Sequence, residues 1–77
     1  MTALEIARVY TDLVKAEREI PESEHQAKEK INALRTKYHE LLMAKMREEQ
    51  IGFSDRFDAA AKAFELVREK ETKYGRT

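Results

Sequence analysis

Cysteine and tryptophan are missing from this chain, and its 77 residues hold one proline and two glycines. Without cysteine there is neither a disulfide scaffold nor a thiolate-ligated zinc site. Glycine is too sparse for a loop that cradles phosphate. Charge of one sign is lacking as well: Lys plus Arg and Asp plus Glu each number 15. The balance also holds locally, with three basic and four acidic residues in 1–20, six and six in 21–50, and six and five in 51–77. Nucleic-acid binders usually carry a lopsided charge, and this chain does not. No apolar run approaches the ~18 residues of a membrane span, and Met1-Thr2-Ala3-Leu4-Glu5 lacks the basic start and apolar stretch of a signal peptide. The expectation is a soluble cytoplasmic protein.

What is present is apolar periodicity at steps of three and four, the spacing of helices that bury one stripe. It runs through Ile6, Val9, Tyr10, Leu13 and Val14, then Ile31, Leu34, Tyr38 and Leu41, then Phe53, Phe57, Ala60, Phe64 and Val67. The fold predicted is an all-α three-helix bundle, or a helical hairpin plus a third helix, with coiled-coil-like packing in a single domain spanning 1–77. A core this small rarely supplies more than ~3–5 kcal/mol unless packing is very good or a second chain adds surface. Self-association, most simply a homodimer, is therefore expected.

The local signals set the boundaries. Thr2-Ala3-Leu4-Glu5 has the form of a capping box, so helix 1 should cover about 3–19 and stop before Pro21, which disfavours helical geometry at Ile20. For helix 2, Pro21 as first helical residue competes with Ser23 as a cap closed by Gln26. Ser23 is preferred, giving about 23–50, with Gly52 supplying the left-handed residue that closes the helix. Helix 3 should open at Ser54 or Asp55 and cover about 55–74, with steps of four and three at 53, 57, 60, 64 and 67 that describe a heptad seam. At 1.5 Å per residue helix 2 would reach ~40 Å against ~24 Å for helix 1, leaving part of it for helix 3 or a partner to cover. Whether helices 1 and 2 fold back at Pro21 or continue as a kinked rod is open at this level.

The C-terminal half of helix 2, Leu41-Leu42-Met43-Ala44 and Met46, is apolar on several sides. One neighbour cannot cover that circumference, so burial from two directions is expected, by helices 1 and 3 or by another subunit. Met43 lies off the seam, and methionine suits adaptable contact surfaces. The predicted partner-binding set is Leu41, Leu42, Met43, Met46, Phe53 and Phe57. The stretch 16–30 is nearly all polar and should project as the tip of a hairpin, with Glu17, Glu19, Glu22 and Glu24 as a secondary acidic surface.

Chemistry has few candidates. Glu22-Ser23-Glu24-His25 contains one Glu-x-x-His, whereas helical di-metal sites need two copies and two further inward glutamates. His39 would lie ~21 Å from His25 on one helix, so shared metal binding would require assembly between chains through His25 and Glu22. His39 is expected to be structural. Ser23 and Ser54 read as helix caps rather than nucleophiles. No catalytic residue, cofactor, metal or small-molecule substrate is assigned, and the chain is not expected to be an enzyme. Lys28, Lys30, Arg35 and Lys37 form the strongest basic cluster, but 28 and 35 share one helix flank and 30 and 37 another, so they make no single stripe. The function expected is protein binding as a small adaptor, regulator or assembly factor. A nucleic-acid-associated regulator using a dimeric basic surface is the alternative, followed by the metal-binding bundle assembled between chains.

Overall fold

The computed structural model describes the chain from residue 1 to 75, with side chains described for 1–70. It is an all-α three-helix bundle, α1(Ala3–Glu19), α2(His25–Glu48) and α3(Arg56–Gly75). Thr2 Oγ1 accepts from the Glu5 amide at 3.1 Å while Glu5 Oε1 accepts from the Thr2 amide at 2.8 Å, so the capping box closes reciprocally. The bond from the Thr2 amide, with the Thr2 hydroxyl as a second contributor, holds the Glu5 carboxyl below its usual range. The other end of α1 stops at Ile20, whose ψ of 125° is the extended geometry that a following proline requires.

Ser23 is not the cap of α2. The Glu24 amide donates to the Pro21 carbonyl at 3.0 Å, which places Ser23 inside a tight turn instead of at an extended capping position. Glu24 takes the cap position without a side-chain cap, so the cap lies one residue beyond Ser23 and α2 runs from His25. Its far end is also corrected. Gly52 does not carry the left-handed residue; Gln50 does, with φ of 60°. The Ile51 amide donates to the Met46 carbonyl at 2.8 Å and the Gln50 amide to Arg47 at 3.2 Å, the paired bonds of a Schellman motif. Ile51 packs against the core there and fixes the exit of the chain. Because a side chain at positive φ carries a steric penalty that glycine lacks, Gln50→Gly should raise stability by up to about 1 kcal/mol. The check is an upward shift of several degrees in thermal midpoint by circular dichroism.

At the start of α3, Asp55 is the capping side chain, accepting from the Asp58 amide at 2.8 Å. Ser54 contributes only its backbone amide, donated to Asp58 Oδ2 at 2.8 Å. That bond, with the nearby Lys62, holds the Asp58 carboxyl below its usual range.

Helices α1 and α2 fold back at Pro21 as an antiparallel hairpin. At the turn end Glu17 reaches Arg35 at 3.3 Å and Asn32 at 3.3 Å. At the open end the Ala3 amide donates to Glu49 Oε2 at 2.7 Å, so a carboxylate from beyond α2 satisfies a free amide of α1's first turn. Helix α3 packs against both, more extensively on α1. The core is Ala3, Ile6, Ala7 and Tyr10 from α1, Leu42, Met43 and Met46 from α2, and Ala59, Ala63 and Val67 from α3. Two expected seams are rephased by this packing. On α3 the buried row is 59, 63 and 67, and Phe57 is 78% exposed, because small alanines let α3 approach closely. On α2 the buried row is 39, 42, 43 and 46, and of the expected 31, 34, 38 and 41 it is Tyr38 that packs, partly buried, against the core.

His39 is buried and structural in its contacts. Its Nε2–H donates to the Arg56 carbonyl at 2.8 Å and its ring lies 5.1 Å from that of Tyr10. One side chain of α2 thus touches the first turn of α3 and the middle of α1. Thr11, also buried, donates its hydroxyl to the Arg8 carbonyl within its own helix at 3.1 Å. Among the described residues no helix is long and apolar enough to cross a membrane.

Candidate protein-interaction surface

The expected contact set divides when placed on the fold. Leu42, Met43 and Met46 are enclosed by the chain's own helices, so they are corrected from partner contacts to core residues. Helices α1 and α3 cover them from two directions without a second subunit. Phe53 is half-buried, with the Arg47 guanidinium 5.2 Å from its ring centre. Leu41 remains 42% exposed, and Phe57 stands out from the first turn of α3.

Leu41 has company that the sequence pattern assigned to the core. Leu34, seven residues before it on α2, is 46% exposed. Ala27, Ile31 and Tyr38 are half-buried on the same side of the helix. At ~100° per residue this row sits about 100° around α2 from the inward row of His39, Leu42 and Met46. Helix α3 lies on the other flank, where Arg56 approaches Glu40 at 4.0 Å. Helix α1 has the matching feature. Its α3-facing side carries Leu4 and Thr11, while Val9, Leu13 and Ala16 lie around the opposite flank, half-buried, followed by Ile20. Both rows therefore belong to the face of the hairpin turned away from α3.

The hairpin register aligns the two rows. With Ala3 opposite Glu49 and Glu17 opposite Arg35, Val9 comes level with Leu41, Leu13 with Tyr38, Ala16 with Leu34 and Ile20 with Ile31. Each pair matches to within about 3 Å along the axis. The result is a ladder of apolar steps two helices wide, open to solvent on top.

The charges predicted as surfaces are partly consumed inside the chain. Glu17 is taken up by Arg35 and Asn32, and Glu22 pairs with Lys28 at 2.9 Å, which removes half of the acidic tip and half of the basic cluster together. Glu19, Glu24, Lys30 and Lys37 are exposed. The pairing leaves Lys30 and Lys37 on the outer rim of the α2 row, seven residues apart. Asp12 and Glu19 occupy the corresponding rim of α1, again seven apart. Sequence reading missed this pairing of rims, although the heptad spacing of both was available in it.

Among the described residues no group of three or more His, Cys, Asp or Glu side chains could hold a metal ion. His25 lines an open depression at the hairpin tip with Ser23, Glu24, Gln26, Ala27 and Lys30. The sequence spacing also pairs Glu69 with Lys73 four residues along, and Lys73 lies outside the described side chains. Comparison with protein-family models, curated proteins and solved structures finds no match to this chain.

Proposed function

We propose that the chain is a small helical protein-interaction module, an adaptor, regulator or assembly factor that works through the apolar face of its α1–α2 hairpin. The observation that carries this reading is the exposure of Leu34 and Leu41, 46% and 42%, in a heptad row outside a core that is already complete. Contiguous exposed apolar surface costs solubility unless another helix covers it. The geometry suits a helix laid lengthwise, with anchors repeating every three or four residues.

The test separates binding from folding. Leu34→Glu with Leu41→Glu places both charges in solvent, so helicity and thermal midpoint should stay close to those of the parent. Proteins retained by the immobilised wild-type chain from an extract of its own source cells should be lost by the double variant. Equal retention by both chains would remove the face from the proposal.

A further inference from the structure

We infer that the occupant of this face is a second copy of the chain, related by a two-fold axis parallel to the helices, so that two hairpins close a four-helix bundle. The inference rests on the interaction-module reading and adds the partner and its orientation. Two apolar faces meeting this way stack Val9 with Leu41, Leu13 with Tyr38, Ala16 with Leu34 and Ile20 with Ile31, within and between protomers. The small Ala16 opposite the large Leu34 gives such layers room to interlock.

Charge chooses the axis. A two-fold axis along the bundle sets α1 of one protomer antiparallel to α2 of the other, and leaves each residue at its own height. The α1 rim of Asp12 and Glu19 then runs beside the partner's Lys37 and Lys30. From the hairpin register, Asp12 and Lys37 lie about 4.5 Å apart along the axis, and Glu19 and Lys30 are offset by the same amount. A lysine side chain spans that distance. Both acid–base pairs form at once, and symmetry repeats them on the other side. A two-fold axis across the helices sets α1 on α1 and α2 on α2, bringing acids to acids and lysines to lysines. All four side chains are exposed, and none has an ion-pair partner among the described residues, so the rims are available. Exposed pairs of this kind set orientation more than affinity, which comes from the apolar layers.

The absence of native cysteine makes the arrangement directly testable. Chains carrying Asp12→Cys and Lys37→Cys are prepared separately and oxidised alone and mixed. The mixture should give a covalent dimer, in much higher yield than either chain alone. In parallel, Lys30→Glu with Lys37→Glu makes both rims acidic and should lower self-association at least tenfold by sedimentation. Asp12→Lys with Glu19→Lys should do the same. Mixing these two charge variants should restore a dimer, which also shows that each is folded. Efficient cross-linking of Asp12→Cys to itself would overturn the orientation. A wild-type chain that stays monomeric overturns the second copy as occupant. If that monomer still retains a cellular partner that Leu34→Glu with Leu41→Glu loses, the interaction-module reading stands without the dimer.

Discussion

Leu42→Ala is expected to leave most of the chain unfolded at room temperature, while the same change at Leu41 leaves it folded. Leu42 has no exposed surface and sits between α1 and α3, so truncation removes buried methyl groups and leaves a cavity that packed helices fill only in part. Such changes cost about 2–5 kcal/mol. A core of this size supplies about 3–5 kcal/mol in total, so the loss is comparable to the whole stability of the protomer. Leu41 is 42% exposed and outside the core, and its truncation should cost well under 1 kcal/mol in the monomer. Urea unfolding followed by circular dichroism measures both. Equal losses at the two positions would mean that the inward row of α2 has been misassigned.

Ala63→Leu should be the most damaging substitution on α3. Ala63 and Ala59 are fully buried, as are Ala3 and Ala7 on α1, and these small side chains set how closely the two helices approach. A leucine at 63 has no space of its own. It must push α3 outward or adopt a poor rotamer, at about 1–3 kcal/mol. Because His39 ties the first turn of α3 to α2, displacement at 63 also strains the 2.8 Å bond to the Arg56 carbonyl. Ala61→Leu, two residues away on the exposed side, is the control and should be nearly neutral. The contrast in denaturation midpoint between the two variants reads the phase of α3 directly.

That phase was the part of the fold least legible in the sequence. Alanine suits a core and a surface equally, so the row 59, 63 and 67 is quiet beside the aromatic row 53, 57 and 64, and hydrophobicity alone favours the aromatics. Helix identity was legible, because Thr2 with Glu5, Pro21 and Asp55 act locally and need no tertiary partner. Gln50 was not, since a Schellman closure depends on how Ile51 seats against the core. On α2 the sequence holds two apolar rows about 100° apart, and nothing local says which faces inward. The longer heptad of Ile31, Leu34, Tyr38 and Leu41 looks like the core seam, yet α3 docks at His39 and turns the shorter row of Leu42, Met43 and Met46 inward. Three residues of the expected interface, Leu42, Met43 and Met46, therefore belong to the inward row. Leu41 is the expected contact that joins both descriptions.

The same reasoning accounts for the charges. Glu17 meets Arg35 only after the chain folds back, whereas Glu22 meets Lys28 six residues along at the turn itself, so half of the acidic tip and half of the basic cluster neutralise one another. What survives is a rim of each sign.

The mass of the chain in solution as a function of concentration tests the covered face most directly. Sedimentation equilibrium on the wild type should show the weight-average mass rising from 9.0 kDa toward twice that value, with Leu34→Glu held at 9.0 kDa across the same range. A wild-type chain that remains at 9.0 kDa at every attainable concentration would contradict a second copy as the occupant of that face.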